Sequence, residues 1–205
     1  MFDWQSLNGA QPFSEPFQWC KIERCFPITI ARSLAATFPG SGFSESIGRD
    51  GRYRLRERTV IEAGRKTIVE DLAQVWKDAL DAFLSQRYRS FLSKSLGADL
   101  SRCSLRVRLY RYDGGSWMLP HTDPPDRVTT HLSYLSEQWS PGCGGELVLL
   151  KSLSMEDIAC VVPPEFNTAV MFRRSESSFH AVRMVPTPVT SDRLVIIAQF
   201  IRSSK

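Results

Sequence analysis

From residue 105 onward the chain is written in short segments whose side chains alternate between apolar and polar. Leu105, Val107 and Leu109 alternate with Arg106, Arg108, Tyr110 and Tyr112. Further strand-sized, β-branched or apolar runs cover 128–135, 146–150, 158–162, 168–172, 181–185 and 194–201, separated by turns rich in Gly and Pro. A period of two places every second side chain on one face of a sheet, so this half must fold as strands with an inside and an outside. The last run is near-continuously apolar, which predicts burial on both faces.

The preceding residues follow a different period. Leu72, Val75, Trp76, Ala79, Leu80, Phe83 and Leu84 form a stripe at helical spacing, continued by Phe91, Leu92 and Leu96 and stopped at Gly97. That predicts a long helix over 69–96. A second helix is expected over 27–38, ended by Pro39. Residues 1–18 read as an irregular arm, 19–22 as a first short strand and 39–52 as a loop. Residues 53–61 read as an extended segment whose Arg54, Arg56 and Arg58 form a solvated face. Helices followed by many short strands give an α+β chain with a mainly β core. The expected architecture is a double-stranded β-helix, or jelly roll, backed by N-terminal helices. Its 205 residues suit one domain over 1–205. Residues 1–100 would supply helical support and substrate-covering segments, and 101–205 the jelly-roll catalytic core.

A net charge of +4 accommodates an acidic ligand without calling for nucleic acid. The five cysteines are scattered, with no Cys-x-x-Cys, as expected of reduced thiols in a cytoplasmic protein. The N-terminus lacks a basic segment followed by an apolar run, and no apolar run is long enough to span a membrane.

The chemistry gathers at the end of residues 110–123, Tyr-Arg-Tyr-Asp-Gly-Gly-Ser-Trp-Met-Leu-Pro-His-Thr-Asp. There are three histidines, His121, His131 and His180. His121 and Asp123 stand two apart, so on an extended segment both side chains share a face. They read either as a polar strand end or as half of a metal site, with His180 the best third ligand. Two His and one carboxylate with open positions is the donor set of non-haem Fe(II) oxygenases.

Residues 105–202 resemble the Fe(II)- and 2-oxoglutarate-dependent dioxygenases, within them the prolyl-hydroxylase type. The matching pieces come in the family's order: Tyr112-Asp113-Gly114-Gly115, Pro120-His121-Thr122-Asp123, Arg-Val-Thr-Thr-His-Leu-Ser-Tyr-Leu at 127–135, Gly144-Gly145-Glu146-Leu147, Phe179-His180-Ala181-Val182 and Ser191-Asp192-Arg193-Leu194. The resemblance implies that His121, Asp123 and His180 hold Fe(II). It implies that Arg193 takes the far carboxylate of 2-oxoglutarate, that Tyr134 donates to the same cosubstrate, and that Tyr112 and Leu147 line its pocket. A guanidinium suits this task, because its planar fork binds a carboxylate through two parallel hydrogen bonds and keeps its charge. His180 and Arg193 stand thirteen apart, a wider spacing than the family's, so the Pro186-Thr187-Pro188 loop must absorb residues and Arg183 is the rival anchor. His131 has the opposite strand parity to Tyr134 and reads as a core histidine.

The implied cofactors are Fe(II), 2-oxoglutarate and O2, with ascorbate as an optional aid. The implied activity is hydroxylation of a C–H bond, with Asp123 filling the position that halogenating relatives leave open. The preferred substrate is a small molecule, amino-acid-like or a natural product, with a peptidyl prolyl-type target as the alternative. An anionic substrate would meet Arg127 and Arg174, with Arg54, Arg56, Arg58 and Arg173 clustered around the same opening. No nucleic acid and no membrane enters this reading. A cupin-like metalloprotein would keep the fold and drop 2-oxoglutarate, and a non-catalytic sensor would keep the fold alone. Arg193 and Tyr134 argue against the first, and the intact His/Asp/His set against the second.

Overall fold

A computed structural model of the chain describes residues 1–189 and 191–202. Its elements in order are α1 (Trp4–Asn8), β1 (Gln11–Phe13), β2 (Trp19–Ile22), α2 (Ile28–Ala36), β3 (Ser44–Ile47), a 3-10 turn (Arg49–Gly51), β4 (Tyr53–Glu62), β5 (Arg65–Lys66), α3 (Gln74–Leu84) and α4 (Gln86–Leu96). The strand-rich half follows with β6 (Cys103–Tyr112), β7 (Trp117–His121), β8 (Arg127–Tyr134), β9 (Leu147–Leu150), β10 (Ile158–Val162), β11 (Ala169–Arg173), β12 (His180–Val182) and β13 (Arg193–Arg202).

The strands form one curled antiparallel sheet in the order β1-β2-β11-β8-β13-β6-β4-β7-β12-β9-β10, with β3 and β5 added to β4. Strand β4 makes the turn between the two walls of the jelly roll. It pairs with β6 along most of its length and with β7 at Tyr53 and Arg54. Alternation on the central strands sorts two cores. Leu105, Val107, Leu109, Ile196, Ala198 and Phe200 face the helices and pack with Trp76, Leu80, Phe83 and Leu92. Tyr110, Tyr112, Leu132, Tyr134, Val195 and Leu149 face the inside of the roll. The opposite parity expected for His131 and Tyr134 on β8 is therefore the observed one.

Four expectations need correction. The N-terminal arm contains α1, capped by Asp3 Oδ1 accepting from the Ser6 amide, and it buries Phe2 and Leu7 in the helix-side core. Residues 39–52 carry β3 and the 3-10 turn rather than a plain loop. The long helix is two. It begins at Gln74 and breaks at Ser85, whose backbone is extended (ψ 146°) and whose hydroxyl caps α4 by accepting from the Tyr88 amide. Gly97 ends α4 in the left-handed conformation, φ 58°, as its position predicts. Finally, Arg58 is not solvated. It is buried and its guanidinium grips both carboxylate oxygens of Asp71 at 2.8 and 2.6 Å.

Candidate active site

The end of β7 and the start of β12 lie side by side, so His121 and His180 are directly opposed across the ladder. Asp123 follows two residues later and is buried. The ligand atoms of His121, Asp123 and His180 all lie within 4.8 Å of one another. Both histidines are oriented by the same local device. His121 Nδ1 sits 2.9 Å from the Leu119 carbonyl and His180 Nδ1 sits 2.9 Å from the Ser178 carbonyl. A carbonyl only accepts, so each Nδ1 carries a proton and Nε2 is left as the ligand atom. Burial pushes His121 down to about 4, and His180 beside it acts in the same direction. Burial opposes ionisation of Asp123, but the positive influence of His180 and Arg127 and the Thr130 hydroxyl outweigh it and hold the carboxyl below its usual range. Neutral imidazoles beside an ionised carboxylate are the forms that bind a divalent metal.

Asp123 is held on both sides. Arg127 Nη1 donates to Oδ1 at 2.7 Å and Thr130 Oγ1 to Oδ2 at 2.5 Å. Gln199 Nε2 donates in turn to Thr130 Oγ1 at 3.2 Å, so adjacent strands β8 and β13 both orient the carboxylate.

Further in stands Arg193, the first residue of β13, only 2% exposed. Its guanidinium lies 4.6 Å from the Tyr112 ring centroid and 5.1 Å from that of Tyr134. Among the described residues neither Nε, Nη1 nor Nη2 has a hydrogen-bond partner, and the Tyr134 hydroxyl has none. Burying a charge with its donors unused is costly, so this cradle is built for an anion. Burial pushes the Tyr112 phenol up to about 12, with the Arg193 charge pulling the other way, so it stays a neutral donor. Gly145, at φ +74°, makes room for the cradle: a Cβ there would lie 2.7 Å from Arg193 Cδ. Arg183, the rival anchor, is partly exposed. An unpaired buried guanidinium with a phenolic hydroxyl, in the same roll as a His/Asp/His cluster, fits a metal-chelating dicarboxylate such as 2-oxoglutarate.

A cavity of about 410 Å³ opens onto the cluster. Tyr112 and Leu147 line it, as expected, and so do Arg127, Thr130 and Gln199. Arg127 is committed to Asp123, however, and Arg174 lies outside the lining, bonding to Glu176 and to the Asp123 carbonyl. The expected arginine cluster does not converge on the opening. Arg54 pairs with Glu45, Arg56 with Asp113, Arg58 with Asp71, and Arg173 with the Gly97 carbonyl. His131 is fully buried on the helix side, 2.8 Å from the Tyr88 hydroxyl, away from the cavity. The sequence reading missed Glu57 and Arg108, which also line the cavity. The available signal was parity, since Arg108 alternates in phase with Tyr110 and Tyr112.

The family model described as the 2OG-Fe(II) oxygenase superfamily matches residues 107–201. None of the curated proteins compared with the chain matches it. A prolyl-4-hydroxylase from Pseudomonas putida superposes with a TM-score of 0.67 at 19% identity, covering 90% of this chain and 92% of that one. A Trichoplax adhaerens prolyl hydroxylase, in complex with a hypoxia inducible factor peptide fragment, gives 0.64 at 18% identity, covering 91% and 87%. HygX from Streptomyces hygroscopicus, with nickel and 2-oxoglutarate bound, gives 0.60 at 13%, covering 90% and 83%. These likenesses show a shared jelly-roll fold. Among the described residues no helix is long and apolar enough to cross a membrane. Fe(II), 2-oxoglutarate and O2 are the cofactors implied by the matched family and the His/Asp/His cluster. Residues 107–201, which carry the ligand cluster and the anion cradle, match the 2OG-Fe(II) oxygenase superfamily.

Proposed function

We propose that the protein hydroxylates a C–H bond of a small molecule, with His121, Asp123 and His180 holding Fe(II) and Arg193 and Tyr134 holding 2-oxoglutarate. The observation that carries this reading is Arg193, a buried guanidinium with all three nitrogens unpaired among the described residues, in the same roll as the ligand cluster. When bound, the iron and its cosubstrate supply the oxidising power: one oxygen atom of O2 enters the substrate C–H bond, and the other leaves in succinate as 2-oxoglutarate loses CO2. The chain's own residues bind and orient. The carbonyls of Leu119 and Ser178 fix the orientation of both imidazoles by accepting from Nδ1, which leaves Nε2 to take the metal. Arg127 and Thr130 keep Asp123 ionised and fixed. Tyr112 and Leu147 wall the cosubstrate position, and Leu55, Leu132 and Ile197 keep the cavity dry.

A small-molecule substrate is favoured by the shape of the opening. The β3–β4 hairpin places Ser46, Arg49, Asp50 and Arg52 in the cavity wall, where they occupy space a bulky chain would need. A peptidyl substrate is the second reading, supported by β3, which among the described residues pairs only with β4 and leaves its outer edge open to an extended chain. The test is O2-dependent conversion of 2-oxoglutarate to succinate, with metal titration. His121→Ala, Asp123→Ala and His180→Ala should each abolish conversion and weaken Fe(II) binding, while His131→Ala leaves metal binding unchanged. Loss of metal in the His131 variant with retention in the His180 variant would overturn the assignment.

A further inference from the structure

Two arginine–glutamate pairs bridge β4 and β6, and they are built differently. Arg106 turns its fork squarely onto Glu62, with Nε at 3.1 and 2.8 Å from the two carboxylate oxygens and Nη2 at 2.8 Å from Oε1. That pair lies outside the cavity lining and is a complete cross-strand contact. Arg108 and Glu57 are diagonal neighbours on the inner face, with Glu57 opposite Tyr110 and Arg108 opposite Thr59. Both line the cavity that holds His121, Asp123 and His180. Here a single bond joins them, Nη1 to Oε2 at 2.9 Å. Among the described residues Arg108 Nε is buried with no hydrogen-bond partner, and the bond to Glu57 engages only one carboxylate oxygen. Each side chain is 22% exposed. The same lining includes apolar Leu55, Met118, Leu132 and Ile197 beside polar Tyr110, Thr130 and Gln199.

Taking the proposed oxygenase function as its basis, we infer that Glu57 and Arg108 form a recognition pair for a zwitterionic substrate of the free α-amino acid class, whose carboxylate meets Arg108 and whose ammonium meets Glu57. The contrast with Arg193 carries the argument. Arg193 has no acidic partner, so its cradle asks for an anion. Arg108 is already half-neutralised, so an anion alone would press its charge against Glu57. A neutral, apolar ligand would leave Arg108 Nε still unpaired, at the cost of a buried donor. A ligand carrying both charges close together completes both partners and keeps the wall neutral. The arginines expected to recruit an anionic substrate are meanwhile committed to acceptors of their own. Blocking either end of the amino acid, as a peptide bond does, removes one of the two charges. The pair thus selects free amino acids over peptides.

The experiment is anaerobic calorimetry on the full chain loaded with Mn(II) and 2-oxoglutarate, titrated with the L-amino acids and with their N-acetyl and carboxamide derivatives. At least one free amino acid should bind, and its two blocked forms should bind weaker by about tenfold to a hundredfold, the value of one hydrogen bond to a charged group. Glu57→Gln should weaken the free amino acid while sparing its N-acetyl form. Arg108→Gln should do the same with respect to the carboxamide. The paired exchange of Glu57→Arg with Arg108→Glu keeps the cross-strand contact and controls for folding, as does unchanged 2-oxoglutarate affinity in all variants. If the wild type binds 2-oxoglutarate yet takes no free amino acid, or takes blocked forms equally well, the pair is not a recognition site and the oxygenase reading stands. If 2-oxoglutarate itself does not bind, both fall together.

Discussion

His121 and His180 each turn Nδ1 toward the carbonyl two residues earlier, while His131 turns Nδ1 toward the hydroxyl of Tyr88. The difference separates two kinds of buried histidine. The first two have an Nε2 facing a cavity. The third is enclosed with Cys25 and Ser133 on the helix side of β8, and burial pushes it down to about 3 from its ordinary value of 6.5. A folded-state value below the unfolded one means that the unfolded chain binds the proton that the folded chain excludes. His131 therefore contributes stability above about pH 6.5, and that contribution is lost as pH falls toward 3. Within that window a single such group changes the unfolding free energy by about 1.4 kcal/mol per pH unit. The variant His131→Gln, which can still accept from Tyr88, should flatten the dependence. Urea unfolding at pH 6 and pH 5 should show a loss smaller by about 1 kcal/mol in the variant than in the wild type. Equal losses would mean that His131 is protonated in the folded state.

At the scale of elements, Arg58 ties β4 to the segment that leads into α3. Besides its fork on Asp71 it donates to the carbonyls of Ser41 and Ile68 at 3.1 and 3.2 Å. Lysine keeps the charge but cannot make this fork. Arg58→Lys should lower stability by about 2 kcal/mol, read as a lower urea midpoint at constant slope, and a change under about 0.5 kcal/mol would show that the strap is dispensable. This strap was not legible in the sequence, for a physical reason. Arg54, Arg56 and Arg58 alternate cleanly, but the partner of Arg58 sits in a loop and β4 carries a bulge near Thr59. Alternation fixes which face a side chain takes, not what it meets. Where both faces are enclosed, alternation sufficed: Thr130, Leu132 and Tyr134 on β8 point into the roll, as do Val195 and Ile197 on β13. Strand β3 escaped notice because it is an edge strand of Ser, Glu and Ser with no apolar period. The break at Ser85 escaped because the apolar stripe runs on through α4, and only the serine cap marks the interruption. The Glu57–Arg108 pair required the sheet order, since strands distant in sequence bring it together.

For the whole molecule, the anion cradle sets folding against function. The left-handed Gly144 and Gly145 clear space that would otherwise be filled: a Cβ at Gly144 would meet the Met184 carbonyl oxygen at 2.1 Å, and one at Gly145 would meet Arg193. Strand β13 then carries a buried guanidinium whose partners are two aromatic faces and no acceptor. A methionine of similar length would fill the site without the desolvation cost. Arg193→Met should therefore melt at the same temperature as the ligand-free wild type or a few degrees above it, since about 1 kcal/mol is worth roughly 2–4 °C in a chain of this size. The order should reverse with ligand. Mn(II) and 2-oxoglutarate at about a hundred times the dissociation constant should stabilise the wild type by about 2.7 kcal/mol. The variant should keep only the share that the metal gives alone. Thermal melts of both proteins, ligand-free, with Mn(II), and with Mn(II) plus 2-oxoglutarate, separate these contributions. A lower ligand-free melting temperature in Arg193→Met, together with an undiminished shift on adding 2-oxoglutarate, would make Arg193 a structural residue and place the cosubstrate's anchor elsewhere in the roll.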